Sequence, residues 1–210
     1  MKATPSLLLS RRLLLAGAGG FALASCGDLI GPPQAPKLYV LKPALPPAAP
    51  GAKIKWALSI ALPNASAGLD TDRIAILRPP SGMDYYADAA WPDRLPGLVQ
   101  DALLLAFEES RRIGAVARDS EAAHSDYILS LDLRDFEARY DQPDGVPVAV
   151  VRIGATLIAA RKRDIAGHLD AAEEAPASRN SVAAAVAALD EALARALAKI
   201  VDWTLAVPKP

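Results

Sequence analysis

The chain has 210 residues, 23 basic and 24 acidic side chains, and a formal net charge of −1. This length is enough to bury one good core and predicts a single main domain. The near-neutral charge, with no basic stripe, argues against a nucleic-acid-binding protein. The single cysteine excludes a disulfide within the chain.

The first 25 residues have the composition of a secretory signal peptide. They contain Lys2, Arg11 and Arg12 and no acid, and an apolar run follows over residues 13–24. This run is shorter than the roughly 20 residues that a membrane-spanning helix needs. Arg11 and Arg12 also resemble the start of a twin-arginine export signal, although Leu14 replaces the usual aromatic residue. Twin-arginine export and ordinary Sec export therefore both remain open.

The only cysteine follows this run directly. Leu23-Ala24-Ser25-Cys26 resembles the lipobox of bacterial lipoproteins, in which the chain is cut before the cysteine and the thiol is acylated. We therefore predict cleavage between Ser25 and Cys26 and lipidation of Cys26, which would anchor the protein to a membrane. A buried structural cysteine of a cytosolic protein is the alternative.

Residues 26–53 are predicted to form a lipidated, proline-rich tether. Prolines recur from Pro32 to Pro50, and such a segment favours extended polyproline II structure, which acts as a semi-rigid spacer. Strand-forming residues at 38–41 interrupt it. They predict a short strand that fixes the tether to the domain.

The remaining residues, 54–210, are predicted to form one α+β domain. Large apolar residues alternate over 54–62, a second strand covers 73–78, and its hairpin partner covers 83–87. A helix with 3.6-residue spacing begins at Leu95 and precedes a strand at 113–117. The further elements are strands at 127–134, 148–161 and 165–171, a turn at 141–145, and a long helix capped by Asn180 or Ser181.

This order of elements predicts the layers of the domain. A run of strands, a helix, a three-strand meander and a second helix are typical of an α+β fold. We expect a mainly antiparallel sheet with both helices packed on one face.

The densest aromatic group consists of Tyr85, Tyr86 and Trp91 in a chain that is only 5% aromatic. Strand alternation places the two tyrosines on opposite faces, so at most one of them is expected in the core. Tyrosine and tryptophan favour binding interfaces, which makes the three residues a candidate partner interface. Packing in the core is the alternative.

The chain lacks the residue patterns of common catalytic and metal sites. His124 and His168 are its only histidines, and no convergent set of His, Cys and carboxylate residues at metal-ligand spacing appears. No phosphate-binding loop and no Gly-x-Ser-x-Gly motif is present. We therefore predict a protein that is not an enzyme and has no metal and no cofactor beyond the covalent lipid.

Together these features resemble the ABC-type transport auxiliary lipoproteins, the group that contains paraquat-inducible protein C. The resemblance begins at the lipobox and covers nearly all of the chain that follows it. Its more specific parts are the Tyr-Tyr…Trp spacing and the closing tryptophan. The segments that carry it are Tyr39-Val-Leu-Lys-Pro43, residues 72–77, residues 83–91, the helix start at Leu95, and Ile200-Val-Asp-Trp203.

The resemblance implies a lipid-anchored protein that faces the periplasm and acts without chemistry of its own. Its implied partners are an ABC permease and ATPase complex and an MCE-domain (mammalian cell entry) protein, which move lipids between the inner and outer membranes. A docking role or a homo-oligomeric ring would fit this setting. Gly27 favours the outer membrane under enteric-type sorting, whereas Asp28 weakens that preference. The alternatives are an assembly factor for an outer-membrane β-barrel translocon and, more distantly, an envelope hydrolase.

Overall fold

The computed structural model describes residues 35–45, 51–122 and 124–208. Arg11, Arg12, Ser25 and Cys26 lie outside these ranges, so the predictions about export, cleavage and lipidation stay predictions. Within the ranges, no helix combines the length and the apolar composition of a transmembrane span. The elements are β1 Lys37–Leu38, β2 Leu58–Ile60, β3 Asn64–Ala65, β4 Arg73–Arg78, β5 Gly82–Ala90, α1 Leu95–Ser110, β6 Val116–Arg118, β7 Tyr127–Arg139, β8 Val148–Ala159, β9 Asp164–Pro176 and α2 Val182–Ala206.

Three long strands form an antiparallel meander. β7 pairs with β8 from Tyr127↔Ala159 to Arg139↔Val148, and β8 pairs with β9 over its whole length. Alternate side chains of β7 and β8 are apolar and fully buried, which gives the meander one face packed on the core and a second face turned away from it. The alternation of apolar and polar residues in the sequence thus gives the meander one buried face and one outward face.

Three short strands share the other edge of β7. β2, β3 and β4 follow one another along this edge, and each runs parallel to β7. β6 adds to β2 in parallel, β5 adds to β4 in antiparallel, and β1 adds to β5 in parallel. The sheet is therefore mixed, but its long pairings are antiparallel, and the predicted α+β fold is confirmed.

A register shift lies in the middle of β7, between Leu133 and Asp135. Such a bulge adds one residue to the strand and changes which positions face the core. Leu133 and Phe136 are both buried, although an uninterrupted strand would turn them to opposite faces. Beyond the bulge, Glu137 therefore lies on the face of the sheet turned away from the core.

The two helices cover the buried face of the sheet. α2 contacts β7, β8 and β9 and also α1, and both helices belong to the same apolar cluster as the sheet. Alanines line the contact between β9 and α2, where Ala171, Ala175 and Ala192 are fully buried. Their small side chains bring the helix close to the strand. Ser181 begins α2, since its Oγ accepts a hydrogen bond from the Ala184 N–H at 3.3 Å.

Part of the predicted tether is bound to the domain. β1 occupies Lys37–Leu38, next to the strand expected at 38–41, and the Tyr39 N–H donates to the Ala90 carbonyl at 2.9 Å. The Lys42 N–H then donates to the Asp190 carboxylate on α2 at 2.8 Å. Leu41 and Leu45 pack against the core. The contacts of these residues make the end of the tether part of the folded body.

The structure moves one predicted boundary and adds two features that the sequence analysis did not assign. β9 runs to Pro176 rather than ending at residue 171, because its alanines pair with β8 throughout. Residues 64–65, which lie between the strands predicted at 54–62 and 73–78, form β3 by pairing with β7. α1 ends at Ser110 because Arg111 adopts a left-handed conformation, with a φ of 52°.

Candidate functional site

Trp91 lies in the core of the domain. Its side chain is 2% exposed and meets the Phe136 ring edge to face, with 6.3 Å between the ring centroids. The backbone N–H of Trp91 donates to the Asp72 carbonyl at 2.7 Å. A side chain so enclosed cannot anchor a partner on the surface, so Trp91 must be removed from the candidate interface.

Tyr86 is half-buried on the helix side of the sheet. Its hydroxyl lies 2.8 Å from the Tyr140 hydroxyl, which in turn donates to the Asn180 side-chain oxygen at 3.0 Å. Burial and the hydrogen bond to Tyr140 both raise the pKa of Tyr86 above its ordinary value. The phenol is therefore neutral and links β5 and the end of β7 to the residues that precede α2.

Tyr85 lies on the opposite face, as the alternation predicts. Its hydroxyl donates to the Gly68 carbonyl at 3.1 Å, and the Arg73 guanidinium lies 3.8 Å from its ring centroid. Both tyrosines thus use their polar groups in contacts within the domain. Because Tyr85 and Tyr86 face opposite ways and Trp91 is buried, the three residues do not form one surface, and the predicted grouping was wrong.

The face of the meander turned away from the helices carries charged side chains. We define this open face as the outward side of β7, β8 and β9. One ion pair joins β7 to the adjacent β8, and two reach from β7 across β8 to β9. Each pair is partly exposed, so each contributes no more than about 1 kcal/mol to stability. The pairs are Arg152 with Asp135 at 2.9 Å, Arg134 with Asp170 at 3.0 Å, and Arg139 with Glu174 at 2.8 Å.

Glu137 lines an open cleft of about 520 Å³ on this face. It is only 5% exposed, although its neighbours in the cleft are mostly solvated. The residues that line the cleft belong to four strands. They are Leu77 of β4, Asp135 and Arg139 of β7, Val150, Val151 and Arg152 of β8, and Asp170, Ala172, Glu173 and Glu174 of β9. We refer to this feature as the Glu137 cleft.

The environment of Glu137 disfavours its charge. Burial raises the pKa of its carboxyl to about 7, and the charge of Asp135 acts in the same direction. The Phe136 N–H, which donates to the carboxylate at 2.7 Å, lowers the pKa, as do the charges of Arg139 and Arg152. Neither arginine, nor any other basic side chain in the described residues, lies within ion-pair distance of this carboxylate. Glu137 is therefore a buried acid without a cationic partner there.

The sequence analysis did not identify Glu137 as a site residue. It lies beyond the predicted strand at 127–134, and the bulge reverses the alternation that precedes it. The available signal was an acid between two core residues, Phe136 and Ala138.

The histidines show no sign of metal chemistry. His124 precedes β7, and His168 is exposed on β9, where its Nδ1 lies 3.1 Å from the Thr156 hydroxyl. Over the described ranges, no three His, Cys, Asp or Glu side chains are placed to hold a metal ion. That the protein is not an enzyme stays a prediction.

Comparison with known proteins identifies the family. Residues 39–201 match the family model described as "ABC-type transport auxiliary lipoprotein component". The chain belongs to this family. The chain is 32% identical, over 161 residues, to the uncharacterized protein bll6063 of Bradyrhizobium diazoefficiens. The match covers 74% of this chain and 41% of that protein, so the chain spans about two fifths of its relative's length.

Two solved structures share the fold of this chain. Protein XCC0632 of Xanthomonas campestris, of family DUF330, is 30% identical to this chain and superposes with a TM-score of 0.74. The superposition covers 80% of this chain and 94% of that one. A second, uncharacterized protein of 14% identity superposes with a TM-score of 0.65 over 81% of this chain and 99% of that one, which shows a shared fold.

Proposed function

We propose that this lipoprotein is a non-catalytic docking component of an ABC transporter–MCE system that moves lipids between the inner and outer membranes and supports envelope integrity. The family match over residues 39–201 carries the proposal, because the family is defined by ABC transport and by lipid anchoring. The MCE-domain partner and the lipid cargo come from the sequence resemblance. A homo-oligomeric ring is part of the same proposal.

The anchor in this proposal is the lipid on Cys26. Because an extended chain spans at most about 3.6 Å per residue, the segment from Cys26 to Lys37 reaches no further than about 40 Å. β1 then fixes the chain to the sheet, and the Lys42–Asp190 hydrogen bond fixes it to α2. The domain would therefore work close to the membrane that holds the lipid, for which Gly27 favours the outer membrane.

Replacing the cysteine tests the anchor. Cys26→Ser should abolish labelling with an alkyne fatty acid and release the protein from washed membranes, while the circular dichroism of the domain stays unchanged. Ser25→Ala, which keeps a small residue before the cut, is the matched control and should still be labelled. A Cys26→Ser protein that stays in the membrane fraction would contradict the anchor.

Purification of the tagged full chain from mildly solubilised membranes tests the partners. The proposal expects an ABC permease or ATPase and an MCE-domain protein at levels that fall at least about tenfold with Cys26→Ser. Recovery of an outer-membrane β-barrel, with neither ABC nor MCE components, would instead support the assembly-factor alternative.

A further inference from the structure

The Glu137 cleft contains more negative than positive charge. Three acids on its strands, Asp135, Asp170 and Glu174, each pair with an arginine of the open face. Among these acids and Glu137, the buried Glu137 carboxylate is the one without an ion-pair partner in the described residues. A buried carboxylate without a cation is expensive, and a charge from outside the domain would relieve that cost. The unbalanced group therefore indicates a cationic ligand.

We propose that the Glu137 cleft is a docking site for a lysine or arginine side chain of a partner polypeptide. Around Glu137, the aliphatic side chains of Leu77 and Val150 line the cleft. They match the methylene stem of such a residue, whose charged end would reach the carboxylate. A cleft of about 520 Å³ has room for this side chain and for the backbone that bears it. The inference deepens the proposed function and rests on it for the existence of a polypeptide partner.

The rest of the open face favours a polypeptide over a small cation. At its far end, Ile128, Ile158 and Ile165 are direct cross-strand partners on β7, β8 and β9, and Ile165 is 71% exposed. Val150 and Ile158 lie eight positions apart along β8, which corresponds to about 27 Å. A helix of about 18 residues has this length. One partner segment could thus place a basic residue in the cleft and an apolar residue on the isoleucine row.

The charge preference of the cleft can be measured with small probes on the full chain in detergent micelles. The probes are N-acetyl-arginine methylamide, N-acetyl-lysine methylamide and the neutral N-acetyl-citrulline methylamide, and the readout is the carboxyl ¹³C shift of Glu137 at pH 8. The cationic probes should bind saturably, and at least about tenfold more tightly than the citrulline probe. Glu137→Gln should remove this preference, whereas Glu109→Gln, an exposed change on α1, should leave it intact.

Equal binding of the citrulline probe, or an unchanged preference in Glu137→Gln, would overturn the proposal. The same holds if Mg²⁺ at equal concentration displaces the arginine probe completely, because the cleft would then be a general cation site.

Photo-crosslinking in intact membranes identifies what occupies the cleft. A benzoyl-phenylalanine at Ala172, which is exposed and lines the cleft, should react with a polypeptide segment that contains lysine or arginine. The yield should fall at least about fivefold with Glu137→Gln and not with Glu109→Gln. A crosslink that is independent of Glu137, or to lipid alone, would refute the proposal.

The same crosslink separates this inference from the proposed function. A Glu137-dependent basic partner unrelated to ABC or MCE proteins would support the cleft and reject the proposed function. Co-purified ABC and MCE proteins without a Glu137-dependent crosslink would support the proposed function and reject the cleft as a docking site.

Discussion

Replacing Glu137 by glutamine should stabilise the domain at alkaline pH. The pKa of Glu137 is about 7 in the folded protein, compared with an ordinary value of 4.5. Between these values the folded state binds more protons than the unfolded state, so the free energy of unfolding falls as the pH rises. The loss begins near pH 4.5 and is complete above pH 7.

The size of this effect follows from the pKa difference. About 2.5 pKa units correspond to roughly 3 kcal/mol at full ionisation. Glutamine keeps an oxygen that can accept the Phe136 N–H, although a neutral acceptor binds it less strongly than the carboxylate does. We therefore expect Glu137→Gln to raise the free energy of unfolding by about 2 kcal/mol at pH 8 and to change it little at pH 4.5.

Urea unfolding of the full chain in detergent at pH 4.5, 6 and 8 measures this difference. Other carboxyls also titrate across this range, so the informative quantity is the difference between Glu137→Gln and wild type at each pH. In a domain of this size the gain corresponds to a rise in Tm of about 4–8 °C at pH 8. Glu109→Gln should show no such pH-dependent gain. If Glu137→Gln is no more stable than wild type at pH 8, the carboxylate is not buried as described.

Two further substitutions test contacts on the two faces of the sheet. Tyr86→Phe should lower the free energy of unfolding by about 1 kcal/mol in urea, because it deletes the hydroxyl that meets Tyr140, and an unchanged value would contradict this contact. Gly154→Ala should change stability by less than about 1 kcal/mol, since its Cβ would approach the flexible Arg134 guanidinium to 2.7 Å and displace only that exposed side chain. A loss of several kcal/mol in Gly154→Ala would mean that the backbone has to move instead.

Most of the sheet could be predicted because its long strands carry local signals. Alternation and turn residues are properties of neighbouring positions, and they identified β4, β7 and β8 and the hairpin between β4 and β5. Strand-forming residues also predicted the short strand next to β1, but the two-residue strand β3 and the exact ends of β1 depend on pairing with distant segments. Their placement depends on tertiary contacts that a local pattern does not contain.

The candidate site was harder to predict for a related reason. Side chains alternate between the two faces of a strand, so the face of a residue can be predicted from its position in the strand. The extra residue between Leu133 and Asp135 moves Glu137 to the face opposite to the one that this alternation predicts. The predicted aromatic interface was wrong for a different reason. Tyr85, Tyr86 and Trp91 were grouped because they lie close together in a sequence that has few aromatic residues. The fold then gave each residue a separate environment within the domain.

The position of Glu137 also bears on how the domain would bind a partner. In the described residues both helices pack on one face of the sheet, and residues 39–45 are bound to the same body, so the open face is left to carry the ion pairs and the Glu137 cleft. An amide at this position would keep the acceptor for the Phe136 N–H and avoid the cost of a buried charge. Stability alone therefore does not account for a carboxyl at residue 137. A basic side chain supplied by a partner does account for it. Above pH 7 the ionised Glu137 destabilises the unliganded domain most, so binding of a basic side chain would be strongest there.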